Sequence, residues 1–212
     1  MESTFRDTCL SDLKVIETFA SGPDGAAGWA AHHGRLRGTC ERLGIAVDHD
    51  QVAKVVANLR FDAPQRVRLT VDLDGQIDVT HTPMAATPEQ WTIGLAAAPV
   101  DAQNPWFGVK TTQRAIYDDA RAHLPVGVDE LIFVNSRGHV TEGTITNIFV
   151  QKGGVLLTPP LNDGVLPGIL RAKMIADGRT EVAHLTWNDV TASPCVYVGN
   201  ALRGLIKAAV RV

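Results

Sequence analysis

"VTEGTITNIFV", residues 140–150, is the stretch whose reading decides the fold. Val, Thr, Ile and Phe dominate it, and such residues suit a pleated, half-buried strand. One carboxylate, Glu142, stands among them and is followed at once by Gly143. Burying a charge is costly unless it is paired. The acid therefore needs either a partner or a tight turn that leaves it in water.

The flanking sequence reads as more strand. "DELIFVN" lies upstream, closed by the turn "SRGH"; "QKGG" turns downstream into "VLLTP". "LPGILRAKMIADG" reads as a helix with Pro167 near its first position and Gly178 at its end. "CVYVGN" and "ALRGLIKAAV" close the chain as strands, and "TTQRAIYDDARAHL" is helical. The second half is thus mostly β with a few helices. In the first half "LKVIETFA" is a strand. Trp29, Leu36, Cys40 and Leu43 recur at helical spacing, and Gly44 suits a C-terminal cap. Residues 48–59 form a second helix, with Asp48 and Gln51 in a capping-box pattern and Val52, Val55, Val56 and Leu59 inside. Val67, Leu69, Val71 and Leu73 alternate with polar residues, Asp74-Gly75 turns, and Ile77 and Val79 resume the alternation. "WTIGLAAA" adds another strand. The aperiodic, Pro-containing "PVDAQNPWFG" is the boundary. The expected organisation is α+β: a small N-terminal domain over 1–100, a linker over 101–109 and a C-terminal domain over 110–212.

Composition narrows the function. A chain of 212 residues can bury a real core. Its 45% hydrophobic and 20% charged residues describe an ordinary soluble globular protein. A net charge of -3 argues against nucleic acid as the main partner. Cys9, Cys40 and Cys195 are widely spaced and form no metal or redox pair, which points to reduced thiols in the cytoplasm. No signal peptide or membrane-spanning run is expected. The histidines fall in no ligand frame, so no metal site is expected, and adjacent His32 and His33 must point apart on a helix.

Several residues could carry chemistry. Lys110 follows the apolar "NPWFGV" at the domain boundary; partial desolvation would lower its pKa and leave more of the nucleophilic amine. Read alone, it is a solvated surface lysine. "GVLPGILR" (164–171) opens a helix whose free N–H groups, at Ile169 and Leu170, attract phosphate. Read alone, it is a Pro-initiated helix. Arg35 is a candidate phosphate partner, or a surface arginine. Glu142 with Asn147 is either a turn or a carboxylate held against a cationic ring nitrogen. Together these supply what a pyridoxal phosphate site needs: an amine, an acid for the pyridinium nitrogen and a phosphate cradle.

"KTTQRAIYDDAR", "VTEGTITNIFV", "GVLPGILR" and "VGNALRGL" resemble, in order and spacing, the motifs of fold-type IV pyridoxal phosphate enzymes, the class IV aminotransferase family. "VIETFA" followed by "HHGRL" resembles the N-terminal half of that family. The resemblance implies a two-domain fold like that of D-amino-acid aminotransferase. It implies Lys110 as the Schiff-base lysine and Glu142 at the pyridine nitrogen. Arg35 with the N–H groups of Ile169 and Leu170 would hold the phosphate, and Asn147, Asn200 and Ala201 would line the cofactor site. It also implies a homodimer acting on a small amine or amino acid. Many aminotransferases carry hydroxyl residues where Leu170 and Ala201 stand. Their absence makes the chain look more like aminodeoxychorismate lyase, an enzyme of folate biosynthesis. A branched-chain or D-amino-acid aminotransferase is the alternative, and a non-catalytic cofactor-binding module a third.

Overall fold

The computed structural model of the chain describes residues 11–211. Cys9 lies outside the described residues. The chain divides into two compact units, each built on one sheet.

The first unit runs up to Ala86 and takes in Val109–Gln113. Its elements are β1 (Lys14–Gly22), β2 (Gly25–Ala26), α1 (Trp29–Leu43), α2 (His49–Ala57), β3 (Gln65–Asp72) and β4 (Ile77–Pro83). The strands form an antiparallel sheet in the order β2-β1-β3-β4. Alternation along β1 and β3 sends Val15, Phe19, Val67, Leu69 and Val71 into one core with Leu36 and Cys40 of α1 and Val52 and Val56 of α2. Each such buried side chain contributes roughly 1.5–3 kcal/mol. Asp48 caps α2, accepting from the N–H groups of Asp50 and Gln51, both at 3.0 Å. The β3–β4 turn demands glycine at 75: φ is 78°, and a Cβ there would lie 2.1 Å from the Ala46 carbonyl oxygen. His32 turns inward while His33 stacks on Trp29, as adjacent helical positions require.

The segment 109–113 runs beside β1. Ile16 N–H donates to the Lys110 carbonyl at 2.8 Å, and Thr111 bridges Val15. Lys14 N–H donates to Thr112 Oγ1 at 2.9 Å. The helix expected from Thr111 onward therefore begins later, as α3 (Ala115–Ala122). The two β-branched threonines are taken up by strand-like bonds instead.

The second unit comprises Thr87–Gly108 and Arg114–Val212. After β5 (Gln90–Leu95) and α3 come β6 (Glu130–Val134), β7 (Val140–Gly143), β8 (Asn147–Lys152), β9 (Val155–Thr158), α4 (Ile169–Ala176), β10 (Glu181–Val182), α5 (Trp187–Thr191), β11 (Val196–Asn200) and β12 (Gly204–Val210). The sheet order is β10-β9-β8-β11-β12-β5-β6-β7. The strand in "WTIGLAAA", grouped by position with the first half, is β5 of this sheet, parallel to both β12 and β6. Trp91, Ile93, Ile132, Val140, Ile148, Val198 and Ile206 fill its main core. Ala96, Val100, Phe107, Tyr117 and Phe133 form a second cluster. The expected α+β class is the one observed, and "VTEGTITNIFV" is two strands, β7 and β8, joined by a turn at 144–146. Pro167 stands outside α4: Gly168 is the N-cap, in extended geometry, and the helix starts at Ile169.

Candidate functional site

Glu142 ends up buried on β7, with 5% of its surface exposed. Three donors from three segments converge on it. Tyr117 Oη of α3 donates to Oε1 at 2.9 Å. Asn147 Nδ2 of β8 and the Leu166 N–H both donate to Oε2 at 3.1 Å. Asn147 also donates to the Leu166 carbonyl at 3.2 Å, so the amide locks the 166 loop to the acid. Hydrogen bonds to a carboxylate favour its charged form. Burial, reinforced by the neighbouring Glu142 charge and hydrogen bond, pushes the Tyr117 phenol far above its usual range. That phenol stays a donor at any physiological pH. An exposed turn acid is therefore not what the sequence encodes.

The helix start next to this acid suits an anion. Gly168, the α4 N-cap, has no side chain to cap the first N–H groups, so the N-terminal partial charge of α4 faces its surroundings uncancelled. Ile169 and Leu170 are half-buried there. Packing leaves no room for a side chain at two glycines. A Cβ on Gly168 would lie 1.9 Å from Asn147 Oδ1, and one on Gly199 would lie 2.8 Å from Leu170 Cδ2. Asn200 shapes the β11–β12 turn: its Oδ1 accepts from Leu202 and Arg203 N–H at 3.0 Å, and its Nδ2 donates to the Ile145 carbonyl at 3.1 Å. Ala201 is exposed at the tip of that turn. Arg171 of α4 is buried and donates through Nη2 to the Pro159 carbonyl at 2.7 Å. Its Nε is a buried donor with no hydrogen-bond partner among the described residues. Burial lowers the Arg171 pKa, and the charge of Glu142 partly restores it. An open helix N-terminus and an unsatisfied buried guanidinium N–H fit a phosphorylated, anionic group such as pyridoxal phosphate.

In the first unit Arg35 is not a surface residue. Its Nε donates to Glu17 Oε1 at 2.8 Å and its Nη2 to Oε2 at 2.7 Å, a two-pronged bond. His32 Nδ1 lies 2.6 Å from the same Oε2. Burial drives the Glu17 carboxyl upward, but the bonds from Arg35 and His32 outweigh it and hold its pKa below the ordinary value. The guanidinium plane is thus fixed. Lys110 is half-buried on the extended segment beside β1.

Glu142, Asn147 and the loop before α4 are therefore brought together in the second unit, where Asn200 bonds the 144–146 turn. Lys110 and Arg35 both belong to the first unit. Sequence reasoning missed Tyr117, Leu166, Glu17 and Arg171 as members of these networks. Tyr117 stood in a quoted motif, and its position three residues after Arg114 on a helix was the available signal. Leu166 acts through its backbone and leaves no side-chain signal.

His139, Asp163 and His184 also converge, from three distant segments. His139 Nδ1 lies 3.1 Å from Asp163 Oδ1, and His184 Nδ1 lies 2.6 Å from Oδ2. Imidazoles and a carboxylate are a donor set that divalent metals use. Here Arg137 Nη2 already bonds Oδ1 at 2.7 Å, so a cation is in place and both Nδ1 atoms are committed to the carboxylate. Burial pushes the Asp163 pKa up, but the histidine bonds outweigh it and hold it low. Asn135 Nδ2 donates to the Asp163 carbonyl at 3.1 Å, which pins the segment leading to Leu166.

Comparison with known proteins places these networks in context. The family model described as Amino-transferase class IV matches residues 14–209. A crystal structure from Mesorhizobium loti named a "putative amino-acid aminotransferase" superposes with a TM-score of 0.88 at 35% identity, covering 94% of this chain and 100% of that one. The "putative aminodeoxychorismate lyase" of Schizosaccharomyces pombe is 28% identical over 156 residues, 70% of this chain and 67% of that protein. The "putative branched-chain-amino-acid aminotransferase" of Methanocaldococcus jannaschii is 36% identical over 90 residues, 42% of this chain. The chain spans 31% of that archaeal relative's length.

Proposed function

The chain belongs to the class IV aminotransferase family, whose members use pyridoxal phosphate, and from that premise we propose that it removes the proton from the amine-bearing carbon of a small amine or amino acid. The observation that carries this reading is Glu142, a buried carboxylate aimed by Tyr117, Asn147 and the Leu166 N–H.

The chain's residues divide the work as follows. Lys110 would hold the cofactor covalently. Glu142 would serve its ring nitrogen. The N–H groups of Ile169 and Leu170, with Arg35, would hold its phosphate, and Asn147, Asn200 and Ala201 would line the site. When bound, pyridoxal phosphate supplies an electron sink for the carbanion beside the amine. Glu142 would keep a proton at the ring nitrogen, because an adjacent anion favours the charged ring. Tyr117 Oη and Asn147 Nδ2 keep the carboxylate from rotating away. Lys110 Nζ would take the proton from the amine-bearing carbon as general base.

The substrate that fits this economy of groups is aminodeoxychorismate, split into 4-aminobenzoate and pyruvate. Aromatisation supplies much of the driving force, so the protein need only place the cofactor and one base. The apolar Leu170 and Ala201 support this lyase reading. The 35% identity with the Mesorhizobium loti protein over 94% of the chain favours a second reading, an amino-acid aminotransferase. A homodimer, as the resemblance implies, belongs to both.

Borohydride reduction of the cofactor-loaded protein, followed by peptide mass mapping, tests the cofactor assignment. A pyridoxyl adduct on Lys110 supports it; an adduct elsewhere, or none, overturns it. Release of 4-aminobenzoate and pyruvate from aminodeoxychorismate then separates lyase from aminotransferase. The latter instead converts the cofactor to its amine form with an amino acid alone.

A further inference from the structure

We propose that Glu130 is a positioning residue for the cofactor site, acting through Glu142. The proposal rests on the reading of Glu142 as the group facing the ring nitrogen.

Glu130 lies on β6 and is fully buried, at 0% exposure. Its hydrogen bonds go to Leu131, Thr144, Ile145 and Thr146 rather than to the three donors of Glu142. It sits beneath the turn that joins Glu142 to Asn147. Every residue of that turn donates to it. Thr144 donates from its N–H at 3.0 Å and again from its hydroxyl. Ile145 donates its N–H at 3.2 Å, and Thr146 donates its hydroxyl at 3.0 Å. The turn closes on itself through Gly143 N–H to the Thr146 carbonyl at 2.8 Å. Glu142 and Asn147 are the residues at its two ends, and they bond each other. The register of the turn therefore sets where the carboxylate and its amide partner meet.

Gly143 reports how tightly Glu130 is seated. A Cβ at this position would lie 2.8 Å from Oε2 of Glu130 and 2.5 Å from Thr146 Oγ1. Those separations are well inside van der Waals contact, so only glycine lets the buried acid approach. The run "EGTITN" follows from one residue outside it. Glycine admits the carboxylate, two threonine hydroxyls and two backbone N–H groups satisfy it, and Glu142 and Asn147 emerge at either end. A buried carboxylate is costly unless it is fully bonded, which is what makes this turn rigid.

Helix α3 ties the same turn to the remaining donor of Glu142. Arg114 is the N-cap of α3, and Tyr117 and Arg121 lie four residues apart within it, on one face. Arg114 Nη2 donates to the Thr144 carbonyl at 2.9 Å, and Arg121 Nη1 donates to Thr144 Oγ1 at 3.1 Å. Arg121 Nη1 also lies 3.7 Å from Glu130 Oε1, a cation for the buried charge. Tyr117, between the two arginines, is the one that reaches Glu142. A shift of the 144–146 turn would move both ends of the Glu142 network at once.

Glutamine at 130 keeps the shape but has one acceptor oxygen, and its amide NH2 would face N–H or hydroxyl donors. The test is a double-mutant cycle of Glu130→Gln and Glu142→Gln, with pyridoxal phosphate as the probe. The readouts are its dissociation constant and the position of its visible absorbance band. Glu142→Gln is expected to weaken binding by about tenfold and shift the band, and Glu130→Gln to do the same in the same direction. The double variant is then expected to be no worse than Glu142→Gln alone. Additive losses mean that Glu130 acts independently and overturn the proposal. So does a Glu130→Gln protein with wild-type affinity and band while Glu142→Gln is impaired. A silent Glu142→Gln removes the ring-nitrogen reading itself, and this proposal with it. Should Glu130→Gln fail to fold, Thr146→Val, which deletes one donor and keeps the acid, takes its place in the cycle under the same criteria.

Discussion

Glu17 sits on β1 with Arg35 bonded to both of its oxygens and His32 to one. Glu142 sits on β7 with a phenol, an amide and a backbone N–H directed at its two oxygens. Both are buried acids on strands, but their partners serve different ends. The Arg35 guanidinium and the His32 bond offset the burial of Glu17, and the net result is a pKa held below the ordinary value. A phenol, an amide and a backbone N–H fix the direction of Glu142, and its charge also acts on the buried Arg171. A two-pronged ion pair anchors an element, whereas an acid aimed by donors from three separate segments is held in one direction. The contrast gives the two units different chemical characters on similar raw material.

The contrast can be broken in several ways. The largest effect belongs to Lys110→Ala. Turnover should fall by roughly 10²–10⁴, as for loss of a general base. The fold should survive, because Lys110 accepts the Ile16 N–H through its main-chain carbonyl, which alanine keeps. Steady-state kinetics beside a circular-dichroism melt would read both. Next is Glu17→Gln, which leaves Arg35 and His32 without their carboxylate. Removing one member of a buried ion pair costs about 3–5 kcal/mol, so the urea midpoint should drop sharply. An unchanged midpoint would mean that Glu17 is not an anchor. Tyr117→Phe deletes one charge-assisted bond and should cost roughly 1.5–3 kcal/mol. It should also weaken cofactor binding, which Glu17→Gln is not expected to do to the same degree once folded.

The smallest effect is a pH dependence. Glu17 and Asp163 both have folded pKa values below their ordinary ones. Their stabilisation is full above the unfolded carboxylate value of about 4 and is lost as pH falls through the folded value. Unfolding free energy should therefore decline on acidification below about pH 4. The decline should be shallower in Glu17→Gln, and equal slopes in the two proteins would contradict it.

Much of this was legible from the residues. Alternation in "QRVRLTVDLDGQIDVT" gave β3, the Asp74-Gly75 turn and β4 because each strand there has one buried face. The motif stretches located Glu142, Asn147 and the α4 N-terminus because glycine and proline mark turns strongly. Sheet membership was not legible. β5 is short and apolar, and nothing local says that its neighbours will be β12 and β6, far away in sequence. The late start of α3 was hidden because Thr111 and Thr112 are tolerated in helices, and only their bonds to β1 exclude them. Glu130 was invisible for a different reason. An acid in "DELIFVN" reads as the polar edge of a strand, and its donors lie fourteen to sixteen residues downstream, in a turn whose sequence had been credited to Glu142.

Glu142 at the ring nitrogen is the claim on which the mechanism turns, and nitrogen NMR of ring-labelled pyridoxal phosphate bound to the protein tests it most directly. A protonated ring nitrogen in the native protein, lost in Glu142→Gln while the cofactor stays attached to Lys110, is the expected result. An identical ring-nitrogen signal in both proteins would contradict it and return Glu142 to the role of a buried turn residue.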